Sequence, residues 1–168
     1  MDEDYLAYVN GRLPALRRLA YLLSGDQDQA DDLVQETITK LYARWPKISR
    51  ADNVDTHAHA MIVRAFLDEK RRGWWRRTSR PAPPEQTAAP AMLRTALRQI
   101  PARQQAVLVL RFLCDRPVTD VAQILGCSEG AVKNQTSQGL SALRKILGPP
   151  AHAANLFPAA KLQEGGLR

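Results

Sequence analysis

Apolar residues recur at intervals of three and four positions along most of the chain, which is the spacing of one face of an α-helix. No stretch shows the alternation of apolar and polar residues, bounded by hairpin turns, that is typical of β-strands. The pattern therefore predicts an all-α fold.

The first half of the chain contains three predicted helices. The first spans residues 4–23, and Pro14 is expected to break or restart it because proline has no amide hydrogen to donate. The polar run ISRADNVDTHAHA, residues 48–60, is predicted to be a loop, and the helix after it begins apolar and ends strongly basic. Between these two helices, residues 26–45 carry a continuous apolar stripe made of Ala30, Leu33, Val34, Ile38, Leu41, Tyr42 and Trp45.

Prolines divide the chain into two predicted domains. Pro81, Pro83, Pro84 and Pro90 exclude a continuous helix, so residues 78–90 are predicted to form an extended linker. It separates a helical domain at residues 1–77 from a second one at residues 91–147. Residues 148–168 begin with Gly-Pro-Pro and show no sustained periodicity, which indicates a C-terminal tail.

The segment VTDVAQILGCSEGAVKNQTSQGLSALRKIL, residues 118–147, meets the physical demands of a helix-turn-helix. Ala122 is small enough for close approach of the second helix, Gly126 permits the turn, and Ser128 is a good N-cap. The apolar residues expected to lock the two helices together are Val121, Leu125 and Val132. The residues left on or near the outer face of the second helix, as candidates for contact with DNA bases and phosphates, are Glu129, Gly130, Lys133, Asn134, Ser137, Gln138 and Arg144.

The net charge of +7 favours an anionic partner, with nucleic acid as the first candidate and a membrane surface as the second. No apolar run approaches the length that spans a bilayer, and the acidic N-terminus MDEDYLAYV is unlike a signal peptide. We therefore expect a cytoplasmic protein that does not insert into membranes.

Candidate chemistry for catalysis or metal binding is sparse. Cys114 and Cys127 are too few for a disulfide framework, and with His57, His59 and His152 they form no ligand-spaced set. No nucleophile–base pair or phosphate-binding loop stands out. The sequence thus predicts neither an enzyme nor a protein with a metal, cofactor or small-molecule substrate.

Two charged segments in the first half of the chain are further candidate binding sites. Asp31, Asp32, Gln35 and Glu36 lie off the apolar stripe of the second helix, where acids in the first turns can complement the helix dipole or an acidic face can dock a protein. Residues 70–80 contain six lysines and arginines around Trp74 and Trp75. That run is typical of a solvated helix end, of a single-strand nucleic-acid site, or of a membrane-surface helix.

Taken in order, these elements resemble a bacterial RNA polymerase sigma factor of the extracytoplasmic-function (ECF) group, most of all its short actinobacterial SigE-type family. ADDLVQETITKLYARW is similar to region 2.2 of that group, and MIVRAFLDEKRRGWWRR to regions 2.3 and 2.4. LRQIPARQQAVLVLRFL and the helix-turn-helix segment are similar to regions 4.1 and 4.2. The resemblance covers about residues 5–147.

The resemblance implies a division of tasks among the predicted sites. Core RNA polymerase would be bound through its beta-prime clamp by Asp31, Asp32, Leu33, Gln35 and Glu36. The promoter −10 element would be read and opened by Asn53, His57, Arg64, Lys70, Arg71, Arg72, Trp74, Trp75, Arg76 and Arg77, with one indole packed in the domain and the other beside DNA. The candidates on the helix-turn-helix would read the −35 element, the helices before it would seat on the beta flap, and the linker would run toward the RNA exit channel.

Further expectations also come from the resemblance alone. Such a protein makes no bonds itself, is nucleoid-associated when bound to polymerase, and is often held inactive by an anti-sigma factor. Three positions depart from the group's pattern and bear on which promoter is read: Ala65 where asparagine is common, Thr136 where leucine is common, and Gln138 where a basic residue is common.

A stand-alone helix-turn-helix regulator that binds duplex DNA by itself is the alternative. The acidic face at residues 31–36 separates the two hypotheses, because a lone DNA-binding protein has no need of it.

Overall fold

The computed structural model describes residues 2–72 and 90–148, so Trp74, Trp75, Arg76 and Arg77 lie outside the described residues, as does most of the predicted linker and tail. The chain divides into two compact units, Met1–Gln86 and Thr87–Arg168. Helices and turns make up residues 2–72 and 90–148, with no β-strand among them, which confirms the predicted all-α fold.

Within residues 2–72, the first unit contains four helices: α1 (Asp2–Ser24), α2 (Gln27–Ala43), α3 (Trp45–Ile48) and α4 (Val54–Arg72). Helices α1, α2 and α4 pack against one another. Gly25 ends α1 in a left-handed conformation with φ of 72°. Asp26 then begins α2, because its side chain accepts hydrogen bonds from the amides of Asp28 at 2.8 Å and Gln29 at 3.1 Å.

Two predictions for this unit were wrong. Helix α1 runs through Pro14 without a break, since Pro14 lies on the exposed side and the carbonyl that loses its partner there belongs to the exposed Asn10. Residues 54–60 are helical rather than part of a loop. The side chain of Asn53 accepts a hydrogen bond from the Thr56 amide at 3.2 Å, which starts α4 inside the segment whose polar composition indicated a loop.

Short helix α3 is anchored by two apolar side chains. Trp45 and Ile48 are each 5% exposed and form a core cluster with Val9 and Leu41. The Trp45 ring lies 5.7 Å from the ring of Tyr5, edge to face, and 5.6 Å from that of Tyr8. This cluster ties the turn between α2 and α4 to α1.

The second unit contains α5 (Ala91–Leu97), α6 (Ala102–Leu108), a π-helical segment at Val109–Leu113, α7 (Val118–Leu125) and α8 (Glu129–Leu147). Helix α8 packs against α5, α6 and α7. Gly139 permits its close approach to α6, because a Cβ atom there would lie 3.0 Å from Cδ1 of the fully buried Leu108. The sequence predicted helix through residue 113, and the π-helical turn within it could not be foreseen from apolar spacing.

Thr136 links α8 to the π-helical segment. Its side chain is fully buried, and its hydroxyl donates to the Val132 carbonyl at 2.8 Å while accepting from Nη1 of Arg111 at 3.1 Å. The Arg111 guanidinium also lies 5.2 Å from the ring centre of Phe112. The position that departs from the ECF pattern therefore carries a polar contact inside the second unit.

Substitution of Thr136 by valine should lower the stability of the second unit by about 1.5–3 kcal/mol, because the nearly isosteric side chain removes a hydrogen bond to a charged donor. Thr136→Ser keeps the hydroxyl and loses one methyl group, so it should cost less. Differential scanning calorimetry of both variants checks this order. A Thr136→Val protein as stable as the parent would show that the Arg111 contact contributes nothing.

Candidate nucleic-acid and protein-binding surfaces

The turn of the helix-turn-helix forms as predicted. Gly126 ends α7 with φ of 66° and ψ of 38°, and the Cys127 amide bonds to the Ala122 carbonyl at 3.0 Å. The Ser128 side chain begins α8 by accepting from the Ala131 amide at 3.0 Å. These local bonds fix the direction in which α8 leaves the turn.

The apolar residues that pack α7 against α8 differ from the prediction at one position. Val121 and Val132 are fully buried, as expected, but Ile124 is 1% exposed whereas Leu125 is only half-buried. Positions 121 and 124 lie one turn apart on the same side of α7, and Leu125 is its last residue. Residues three and four positions after Val121 both lie near its side of the helix, so the spacing alone does not distinguish them, and it is Ile124 that the fold buries.

The outer face of α8 is polar and accessible. Lys133 is half-buried, and the remaining candidates are exposed: Glu129, Gly130, Asn134, Ser137, Gln138 and Arg144. Gln138 accepts a hydrogen bond from Nε2 of Gln104 on α6 at 3.4 Å. The face thus presents amide and cationic groups of the kinds that contact base edges and phosphates in a major groove.

Helix α2 presents the acidic face, defined here as Asp31, Asp32, Gln35 and Glu36, all of which are exposed. Nζ of Lys40 lies 2.6 Å from Oε1 of Glu36, so one charge of the face is partly balanced within the helix. Leu33, assigned to the same site by resemblance, is 1% exposed. That assignment needs correction, because Leu33 belongs to the apolar stripe and supports the face from beneath.

Tyr42 extends the acidic face toward the end of α2. It lies seven residues beyond Gln35, nearly two full turns along the same side, and is 47% exposed. Its hydroxyl donates to Oδ1 of Asp2 at 3.2 Å, and that hydrogen bond, together with the carboxylate charge, raises the pKa of Tyr42. The sequence placed Tyr42 in the apolar stripe, so its exposure was missed.

Helix α4 carries the described part of the predicted −10 site. Asn53 is exposed just before it, and His57, Arg64 and Arg71 are exposed along it at intervals of seven residues, which places the three on one side. Nη2 of Arg71 lies 3.5 Å from Oδ1 of Asp68. Lys70 is also exposed but lies on the other side of the helix, and Arg72 is its last residue.

Of the departures from the ECF pattern, two are buried. Ala65 is 6% exposed and Thr136 is fully buried, so both act through packing, whereas Gln138 is exposed and available to a partner.

The described residues contain no group of three or more His, Cys, Asp and Glu side chains that could hold a metal ion. No helix among them is long and apolar enough to cross a membrane.

Both units match known protein-family models. Residues 9–76 match the family described as Sigma-70 region 2, and residues 91–143 match the family described as Sigma-70, region 4. These two matches fall on α1 to α4 and on α5 to α8.

Relatives that match along most of the chain are also RNA polymerase sigma factors. The chain is 30% identical over 158 residues to the ECF RNA polymerase sigma factor EcfG of Rhodopseudomonas palustris, covering 88% of this chain and 84% of that protein. It is 29% identical over 157 residues to the RNA polymerase sigma-E factor of Streptomyces coelicolor, covering 86% of each.

A solved structure shares the fold. The sigma factor RpoE from Bartonella quintana, crystallised in complex with the anti-sigma factor NepR, matches with a TM-score of 0.73 and 24% identity over 86% of this chain and 97% of that one.

The family matches and the whole-chain relatives confirm the predicted resemblance, and the stand-alone regulator is not favoured. This chain belongs to the ECF RNA polymerase sigma factors, regulatory proteins that bind core RNA polymerase and direct it to promoter DNA.

Proposed function

We propose that the two units divide promoter recognition between them. Region 2, at residues 1–77, docks on core polymerase and reads the −10 element, residues 78–90 form the linker, and region 4, at residues 91–147, reads the −35 element. Residues 148–168 form a tail outside both regions. The observation that carries this proposal is the coexistence of an exposed acidic face on α2 with a polar recognition helix in the other unit.

In region 2, Asp31, Asp32, Gln35 and Glu36 bind the beta-prime clamp of the polymerase. Acids on an otherwise basic chain favour a protein partner, since the phosphates of DNA repel carboxylates. The −10 element is read and melted by residues at the start and along α4, namely Asn53, His57, Arg64, Lys70, Arg71 and Arg72, with Trp74, Trp75, Arg76 and Arg77 beyond the described part of the helix.

In region 4, α8 enters the major groove at the −35 element with its N-terminal half foremost. Lys133 and Asn134 lie next to each other in that half and supply a cation and an amide. Helices α5 and α6 seat on the beta flap. The chain makes and breaks no covalent bonds and requires no cofactor, because the polymerase catalyses the reaction. It acts in the cytoplasm, on the nucleoid.

An anti-sigma partner is part of the proposal. The sigma factor RpoE from Bartonella quintana was crystallised with the anti-sigma factor NepR, and its fold matches this chain over nearly its whole length. We therefore expect that a protein inhibitor can also hold this chain away from polymerase.

Reversal of charge on the acidic face tests the docking site. Asp32→Arg combined with Glu36→Arg should weaken binding to core polymerase by about tenfold or more, which corresponds to about 1.4 kcal/mol, because attraction to the partner becomes repulsion. Affinity is measured with purified core enzyme. Asp32→Arg alone should have part of this effect, and Asp52→Arg, at an exposed acid of the same unit outside the face, should have none. Unchanged affinity of the double variant would refute the docking assignment.

Removal of the paired polar groups on α8 tests the −35 assignment. Lys133→Ala combined with Asn134→Ala should reduce discrimination between promoter and unrelated duplexes by about 1–3 kcal/mol for each lost base contact, with core binding intact. The exposed Lys145 near the far end of α8 is the control, and Lys145→Ala should keep discrimination. If the double variant loses core binding instead, α8 has a structural role in the holoenzyme.

A further inference from the structure

Three cations line the outer side of α3 and the turn that follows it. Arg44, Lys47 and Arg50 occur at intervals of three residues and are all exposed. Backbone hydrogen bonds from the Lys47 amide to the Arg44 carbonyl at 3.1 Å, and from the Ala51 amide to the Ile48 carbonyl at 2.9 Å, keep this segment in consecutive tight turns. Residues three apart in such turns are neighbours on one side, so the cations form a ridge, called here the α3 ridge.

The α3 ridge is held on a rigid base. Trp45 and Ile48, which alternate with the cations along the chain, are buried in the cluster with Val9 and Leu41. The Trp45 ring is fixed further by Tyr5 and Tyr8. The backbone positions that carry the cations are therefore fixed, so mainly side-chain entropy is lost when an anion binds.

Three of the other cations of the first unit are paired with acids. Arg12 lies 3.3 Å from Asp55, Lys40 lies 2.6 Å from Glu36, and Arg71 lies 3.5 Å from Asp68. Among residues 2–72 and 90–148, no carboxylate lies within 4.0 Å of the charged groups of the α3 ridge. Like charges placed side by side repel, so a bound anion would relieve a repulsion that the folded unit tolerates without internal compensation.

The location of the α3 ridge separates it from the polymerase-docking face. Arg44 directly follows the last residue of α2 and lies eight residues beyond Glu36, about two helical turns, so the ridge begins past the end of the helix that carries the acidic face. The cluster beneath the ridge packs against Val54 and Met61 of α4. Met61 lies between His57 and Arg64 along that helix, so the ridge adjoins the side of α4 that carries these exposed residues.

We propose that Arg44, Lys47 and Arg50 bind phosphates of the promoter backbone beside the −10 element. Guanidinium groups can donate two parallel hydrogen bonds to one phosphate, and the lysine supplies a point charge. Contacts of this kind fix register and orientation but carry no base information. This inference rests on the proposed function of α4.

The test compares full-length protein with the variant Arg44→Gln, Lys47→Gln, Arg50→Gln, each assembled with core polymerase. Promoter affinity should fall by roughly tenfold or more and by a similar factor on promoters with different −10 sequences. The slope of log affinity against log salt should decrease by about 0.7 for each single-strand phosphate and about 0.9 for each duplex phosphate. Separate probes of single non-template strand and of intact duplex show which form of DNA supplies the phosphates.

Controls separate phosphate binding from charge and folding effects. Arg17→Gln removes one exposed cation from α1 of the same unit and should change affinity less than Lys47→Gln. Arg44→Lys with Arg50→Lys keeps the charge and should retain most of the binding. Unfolding temperatures of all variants should match that of the parent protein, since the three side chains are exposed.

Several results would overturn the inference. An unchanged salt slope and affinity would show that the α3 ridge does not touch DNA, and weaker binding to core polymerase would assign it to a protein interface. Loss confined to one −10 sequence would indicate base reading in place of phosphate binding. Failure of the proposed function itself is distinguishable, because the parent holoenzyme would then show no preference for promoter over unrelated DNA.

Discussion

Burial of the apolar stripe of α2 between α1 and α4 determines what the first unit can present to partners. Leu33, Val34 and Leu41 are each at most 4% exposed, and a helix that buries these positions must turn the residues between them outward. Asp31, Asp32, Gln35 and Glu36 are therefore exposed as a set, on a helix whose orientation is fixed by its core side. The same packing holds α4 with Ile62 and Phe66 inward, so that His57, Arg64 and Arg71 face away from the core. The acidic and basic surfaces are two consequences of one core.

The second unit depends on α8 in the same manner, but two of its contacts are not simple apolar packing. Gly139 lets α8 approach Leu108 closely, and the hydroxyl of Thr136 accepts a hydrogen bond from Arg111. Thr136 lies on the buried side between two pairs of candidates, the half-buried Lys133 with the exposed Asn134, and the exposed Ser137 with Gln138. Its second bond, to the Val132 carbonyl, is of the kind that bends helices slightly. Contacts on the buried side of α8 can therefore shift the positions of the exposed side chains on its other side.

The sequence predicted the helical class, the acidic face and the turn at Gly126, because apolar periodicity and capping residues act locally. It failed where tertiary context overrides a local signal. Pro14 indicated a break, yet α1 continues because its first half packs through Tyr5, Tyr8 and Val9. Residues 54–60 were predicted to be a loop from their polarity, yet Ala58, His59 and Ala60 are all buried in the helix that forms there. Thr136 could not be identified as a core residue, since a buried hydroxyl needs a partner that only the folded chain supplies. Leu33 was assigned to a surface by resemblance, although its own place in the apolar stripe indicated burial.

Segregation of charge explains how a chain with a net charge of +7 can serve two partners of different chemistry. At physiological salt the Debye length is about 8 Å, so an exposed charge acts mainly on what lies against its own face. If DNA lies against α4 as proposed, the carboxylates on one side of α2 can attract a basic protein surface without strongly repelling that DNA. In the proposed assignment, the cations of α4 and the α3 ridge would likewise act mainly on DNA and add little to the binding of polymerase at the acidic face. In the proposed division of sites, the short range of exposed charges, rather than the net charge, therefore lets different residues of one small helical unit determine polymerase binding and DNA binding.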